Sequence, residues 1–464
     1  MRPPLYVHIP YCLQKCGYCD FFSKPAASVP AEYVKAVARQ VEYFAREFSV
    51  VEWKSVYIGG GTPSLLSAAD LKFLCKAIKT AAPLAANCEW TIEMNPGTIS
   101  RELLEAASAC GINRLSAGIQ CKRQKVLDAI GRRASERDIE DAARLIKDFW
   151  PHEWSADLIA GLPFQTKGDI ARDIDFIAQN GANHASLYSL TLEEGTPLAK
   201  KIERGELEYD EEAAEDLWLY GRDLLEERGF LQYEVSNFAR PGFESKHNSA
   251  YWAQESYLGA GAGATGTIYG LPEGWRYTNA LDAAAYIKFW SAERLREQEG
   301  VTGLNVRRGE RLQARDEGGE PKGGADFNAR SENCSQDLNA GSANQEAPQA
   351  QNVRAALAFP CQLEPLDTAT QEFEYIMLTL RTRRGASAAE YQARYGGDLA
   401  ARLGLAQNKK ASQAKDCPPA NQKAFQAQNA GAAAWLAKHE RDGDAFYAMT
   451  REGLLFLNRF LEEL

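Results

Sequence analysis

The sequence predicts an α/β chain: repeated strand–helix units that build a parallel sheet, then a small, mostly helical C-terminal domain. Three observations carry this. Short apolar runs alternate with longer amphipathic stretches from residue 5 to residue 190. Each pair of runs is separated by enough chain for a helical crossover, which parallel strands require. The thiols, glycines and lone acids that stand out in the sequence fall directly after such runs, where parallel sheets hold their ligands.

Leu5-Tyr6-Val7-His8-Ile9 reads as the first strand, and residues 30–48 as an amphipathic helix opened by Pro30. Ser55-Val56-Tyr57-Ile58 is the second strand, followed by a helix at 68–81. The third strand, 89–94, leads to a helix at 100–110, and the fourth, 114–119, to helical segments at 122–130 and 135–149. Asp157-Leu158-Ile159-Ala160 precedes a helix at 168–180, and 185–190 is the sixth strand. Six units are too few for an eight-fold barrel, which leaves a partial barrel or an open sheet.

With 464 residues and 45% hydrophobic content the chain can form more than one core. We read residues 1–300 as the first domain and 353–464 as the helical C-terminal one, its helical stretches at 369–403 and 433–464. Residues 301–352 read as a disordered insertion, because Phe327 is the only aromatic between Trp290 and Phe359. A second such insertion spans 407–432. The net charge of -10 excludes a general phosphate-binding surface, so no nucleic-acid partner is expected. No stretch reaches the roughly 18 apolar residues of a membrane span, and the start lacks a signal-peptide pattern. Of ten cysteines only three are clustered, which does not form a secreted disulfide framework, so a reducing cytoplasm is the expected compartment.

Those three, Cys12, Cys16 and Cys19, have a C-x3-C-x2-C spacing on the loop leaving the first strand. A loop there can bring three sulfurs to one point, which suits a soft metal: zinc or an iron–sulfur cluster. Structural zinc needs a fourth nitrogen or sulfur ligand, and His8 is four residues away, though on a strand. Three thiolates on a cubane leave one iron open. Gly59-Gly60-Gly61-Thr62-Pro63 follows the second strand, and glycines there let the backbone approach a ligand closely. Glu93, Gln120 and Asp157 end three further strands, a ring of hydrogen-bonding groups for a polar ligand. Arg132 adds a cation for a carboxylate. His247 lies in His247-Asn248-Ser249-Ala250-Tyr251-Trp252, beyond the sixth strand.

The three-cysteine motif resembles the signature of the radical S-adenosylmethionine (SAM) superfamily. Longer strings narrow the resemblance to the coproporphyrinogen dehydrogenase family and its HemW haem-chaperone branch. They include Leu5 to Pro10, Gly59 to Ser64, Glu93-x-Asn95-Pro96-Gly97-Thr98, Asp157-Leu158-Ile159-x-Gly161-Leu162-Pro163 and Tyr233 to Ala239. The resemblance covers residues 3 to about 290, and resumes at 372–383 and 451–464. It implies a partial (β/α)6 barrel. It also implies a [4Fe–4S] cluster on Cys12, Cys16 and Cys19, with SAM chelating the fourth iron. Gly60, Gly61 and Thr62 would hold the methionine end of SAM. Glu93, Gln120, Arg132 and Asp157 match SAM-contacting positions, and Tyr6 and Tyr18 match contacts near cluster and adenine. His247 would ligate haem, with Tyr251 and Trp252 packing on the porphyrin. The implied partners are haem, an electron donor for the cluster, and a haem acceptor such as a respiratory membrane enzyme. The alternative within the family is oxygen-independent coproporphyrinogen III oxidation, so enzymatic activity stays open. The oxidases carry a further Cys two residues after the third, where this chain has Phe21. Cys121 stands in place of a usual Ser. Ala134 and Thr265-Gly266 stand where HemW relatives often have His and His-Ser.

Overall fold

The computed structural model describes residues 1–291, 353–405 without 355 and 358, and 435–462 without 452. Both expected insertions, 301–352 and 407–432, therefore lie outside the described residues. Strands β1 (Pro4–Ile9), β2 (Trp53–Gly60), β3 (Leu84–Met94), β4 (Arg114–Gln120), β5 (Glu153–Ala160) and β6 (His184–Ser189) stand side by side in chain order, all parallel. Past β6, the strands β7 (Leu231–Glu234) and β8 (Asn237–Ala239) extend that edge antiparallel, in the order β6-β8-β7. At the other edge β9 (Leu258–Ala260) pairs parallel with β1, Leu5 lying beside Leu258 and Val56 on its two sides.

The crossovers are helices α1 (Ala31–Glu47), α2 (Ala68–Ala81), α3 (Arg101–Ala109), α4 (Gln124–Ala129), α5 (Glu136–Phe149) and α6 (Lys167–Gln179). Their starts are written locally. Pro30 precedes α1, while Ser67, Ser100, Ser135 and Thr166 each accept a hydrogen bond from the amide three residues on. Ser135 and Thr166 complete capping boxes with Asp138 and Asp169. The sheet is two-faced. Leu5, Val7, Ile9, Val56, Ile58, Trp90, Ile92, Leu115, Ala117, Leu158 and Leu187 join the helices in one apolar core. The alternate positions face the barrel interior and are polar or aromatic: Tyr6 and His8, Ser55 and Tyr57, Thr91 and Glu93, Ser116, Ser155 and Asp157, His184 and Ser186. The period of two along each strand thus divides structure from chemistry.

Helices α7 (Pro197–Glu203) and α8 (Glu211–Glu227) follow β6, and α9 (Lys246–Trp252) leads to β9. A separate antiparallel sheet joins β10 (Thr265–Ile268), β11 (Glu273–Asn279) and β12 (Cys361–Asp367), with α10 (Ala283–Phe289) between β11 and β12. The C-terminal unit has its own core of Tyr375, Ile376, Leu380, Leu403, Trp435 and Phe460. It contains α11 (Thr368–Thr379), α12 (Ala388–Tyr395), α13 (Leu399–Arg402) and α14 (Leu457–Glu462). One expectation fails here. The stretch 433–464 is not helical throughout: β14 (Leu436–Arg441) and β15 (Asp444–Met449) form a hairpin, completed by β13 (Ala386–Ser387). The reason is the Asp442-Gly443 pair, both at positive φ (53° and 79°), which closes a two-residue turn between the strands. No helix among the described residues is long and apolar enough to cross a membrane.

Candidate functional site

The cysteine loop is closed at its base. Tyr11–Cys12 pairs with Lys24–Pro25, and the Ala26 amide donates to the Cys12 carbonyl at 2.8 Å. Its middle is pinned by Gly17, whose amide donates to Ile130 O and whose carbonyl accepts from Leu198 N, both at 2.8 Å. The Thr62 hydroxyl donates to Cys12 Sγ at 3.4 Å, and Arg132 Nη1 reaches Cys16 Sγ at 3.7 Å and Tyr18 OH at 3.3 Å. Arg132 Nη2 also donates to the Gly118 carbonyl. The three sulfurs line one side of a cavity of about 350 Å³ at the carboxyl ends of β1 to β6. Among the described residues no three His, Cys, Asp or Glu groups are gathered for a single metal ion.

Of the residues singled out in the sequence, the cavity gathers Cys12, Cys16, Tyr18, Cys19, Gly60, Gly61, Thr62, Glu93, Gln120, Arg132 and Asp157. Glu93 Oε1 accepts from Tyr57 OH at 2.8 Å, and Oε2 from the Gly60 amide at 2.9 Å. Burial raises Glu93 to about 7, with Asp157 adding repulsion and the bonds from Tyr57 and Gly60 opposing it. Asp157 is held by the Ser116 hydroxyl (3.0 Å) and the Ser186 hydroxyl (2.8 Å), and burial raises it too. Gln120 has φ +61° beside a bulge in the β4–β5 ladder, which turns its side chain to the cavity. Gly60 has φ +112°, and a Cβ there would lie 2.5 Å from the His8 ring. A Cβ on Gly61 would meet Tyr11 O at 2.8 Å.

Two expected residues are elsewhere. Tyr6 lies one layer below the cavity, its hydroxyl 2.8 Å from His8 Nδ1 and its ring 6.1 Å from that of Tyr57. His8 Nε2 is bonded to Phe22 O at 3.0 Å. His247 is 1% exposed inside the barrel, Nδ1 bonded to Ser55 Oγ (2.8 Å) and Nε2 to Tyr251 OH (2.7 Å). Burial pushes it down to about 3. Its position is set by Glu89, whose carboxylate accepts from Ser245 Oγ and from the amides of Lys246 and His247. Both ring nitrogens of His247 thus have hydroxyl partners. Conversely, Tyr57, Ser116, Ser186 and Tyr188 belong to the site or its support and were not singled out from the sequence. The alternation along each strand was the signal that marks them.

The donor set fits the cofactors that the three-cysteine motif implies. Gln120 Oε1 and Arg132 Nε are buried at the cavity without a hydrogen-bond partner. A carboxylate, a guanidinium and a glycine edge face the thiols, which suits a ligand carrying both an ammonium and a carboxylate.

A parallel half-barrel with three cysteines on the loop after its first strand and a polar ring at its carboxyl end is the architecture of a radical SAM protein, and the radical SAM superfamily matches residues 6–177. The heme chaperone HemW of Lactococcus lactis is 36% identical over 296 residues, covering 63% of this chain and 76% of that one. HemW of Escherichia coli is 35% identical over 276 residues, covering 59% and 72%. The solved coproporphyrinogen III oxidase (HemN) of Escherichia coli superposes with a TM-score of 0.67 over 99% of this chain and 90% of that one, at 17% identity, a likeness of fold alone. The chain belongs to the HemW family of radical SAM proteins.

Proposed function

We propose that this chain is a haem chaperone: it binds haem, holds a [4Fe–4S] cluster with SAM, and passes haem to an acceptor protein such as a respiratory membrane enzyme. The observation that carries the reading is the identity to HemW chaperones along roughly three quarters of their length. Membership of the superfamily implies the cluster and SAM. In this reading Cys12, Cys16 and Cys19 hold three irons, and Arg132 steadies the loop through Cys16 and Tyr18. Glu93 receives the ammonium of SAM, the Gly60–Thr62 edge lies along its methionine end, and Gln120 and Asp157 take its remaining polar groups. When bound and reduced by a donor protein, the cluster supplies an electron to SAM. The side chain at position 21, phenylalanine rather than cysteine, is 72% exposed at the cavity mouth and offers no fourth thiol, which argues against porphyrinogen oxidation. The test is anaerobic purification followed by titration with haemin. A saturable Soret shift at one equivalent is expected, with iron and sulfide near four per chain. Formation of protoporphyrinogen from coproporphyrinogen over several turnovers would overturn the reading.

A further inference from the structure

Two thiols outside the cysteine cavity meet where α2 packs on α3. Cys75 lies on the buried face of α2, with Leu71, Leu74 and Ile78. Cys110 caps the C-terminal end of α3. Lys79, one turn beyond Cys75 on α2, donates from Nζ to the Cys110 carbonyl at 3.2 Å, which holds that part of α2 against the end of α3. The two thiols share a hydrogen bond, and both are free in the structure. Neither lines the cavity of the cluster loop.

The pair is chemically unequal. The hydrogen bond to Cys110, and then burial, hold the Cys75 thiol well above its ordinary range. Cys110 receives that bond and is brought down to about 7, burial opposing the shift and the ammonium groups of Lys79 and Lys72 adding to it. The other described cysteines outside the loop go the opposite way: burial pushes Cys88 up to about 12 and Cys361 up to about 11, and raises Cys121 as well. Access is unequal too. Cys75 is 0% exposed and Cys110 8%. Beside Cys110, Gly111 is exposed at φ +88°, and a Cβ there would meet nothing within 4 Å. A small reagent therefore reaches Cys110 first.

A thiolate open to a small reagent, with a second thiol in hydrogen-bond contact behind it, has the parts of an attacking and a resolving cysteine. We infer that Cys75 and Cys110 form a peroxide-reactive dithiol, Cys110 attacking and Cys75 resolving. The Cys110 sulfur takes the distal oxygen of a hydroperoxide. An S–O bond forms, the O–O bond breaks, and with hydrogen peroxide the leaving hydroxide takes up the Cys110 proton as water. The Cys75 sulfur then attacks the Cys110 sulfenic acid. An S–S bond forms, the S–O bond breaks, and the hydroxide leaves as water with the Cys75 proton. Two thiols are oxidised by two electrons to one disulfide, and the peroxide is reduced to two waters. The new bond closes residues 75–110 into a covalent loop that contains β3 and Glu93.

The test is residue-resolved mass spectrometry on the full, anaerobically purified chain. After hydrogen peroxide and alkylation of the remaining thiols, the peptides carrying Cys75 and Cys110 are linked and two hydrogens lighter, and dithiothreitol separates them. In Cys75→Ser, dimedone traps a sulfenic acid on Cys110. In Cys110→Ser, Cys75 stays reduced. A second measurement needs neither oxidant nor variant: iodoacetamide labels Cys110 with a half-maximal rate near pH 7, and Cys75 at least about tenfold more slowly. Reduced Cys75 and Cys110 in peroxide-treated wild type, a link from either to another cysteine, or dimedone on Cys75 in place of Cys110 overturns the inference. So does labelling of the two thiols at equal rates.

Discussion

Replacing Glu93 by glutamine tests the cavity's electrostatics directly. A glutamate in an unfolded chain titrates near 4.5, and Glu93 titrates near 7. The folded chain therefore binds this proton more tightly than the unfolded one between those values, and stability falls as pH rises through that window. At about 1.4 kcal/mol per decade the loss is complete above pH 7 and amounts to about 3 kcal/mol. Glutamine escapes it. It keeps one acceptor for Tyr57 or the Gly60 amide and places an NH2 against the other donor, at a cost of about 1 kcal/mol. The ligand-free Glu93→Gln chain is thus more stable than wild type at pH 8 by about 2 kcal/mol, and the two are about equal in stability at pH 5. SAM reverses the preference, because its ammonium favours the carboxylate. In cluster-loaded wild type, binding SAM at pH 6 expels close to one proton, and affinity rises with pH up to 7, by up to about tenfold per pH unit. Glu93→Gln binds weakly with a flat profile. Thermal unfolding of the apo chain from pH 5 to 8 and calorimetry in two buffers of different ionisation enthalpy measure both effects. SAM binding at pH 6 without proton release, or a glutamine variant that follows the wild-type pH dependence of stability, refutes the argument.

Gly60→Ala forces a Cβ to 2.5 Å from a His8 ring held at both nitrogens, on a residue at φ +112°, and should cost about 2–5 kcal/mol in urea unfolding. Cys16→Ser should leave the fold intact and lower the iron content of anaerobically prepared protein, together with its 400-nm-region absorbance. Glu89→Ala removes three accepted hydrogen bonds from a buried carboxylate and should cost about 3 kcal/mol, with faster amide exchange over residues 245–252 as the local readout.

The barrel was legible because its punctuation is local. Ser67, Ser135 and Thr166 mark helix starts in the sequence as they do in space. The hairpin was written just as locally, in Asp442-Gly443. It was misread because Leu436 to Arg441 mixes alanine and charge as an exposed helix does, and five of those six residues are indeed exposed. At the site, motif residues at strand ends were found, since a strand's last residue is visible from the chain alone. Their supports were not. Ser116 and Ser186 matter only because both reach Asp157 from neighbouring strands, and that adjacency is a property of the sheet. The surroundings of His247 were hidden for the same reason: Ser55 and Glu89, which bond its ring and its amide, come from strands far away in the chain.

The order of the sheet also sets a timetable. The strand that carries the cysteine loop gains its first neighbour at residues 55–60 and its second only at Leu258–Ala260. At ribosomal rates of roughly 5–20 residues per second, that leaves roughly 10–40 s in which the strand has a bare edge. Through that interval the backbone edge of β1 that faces away from β2 lacks the partner that β9 later supplies.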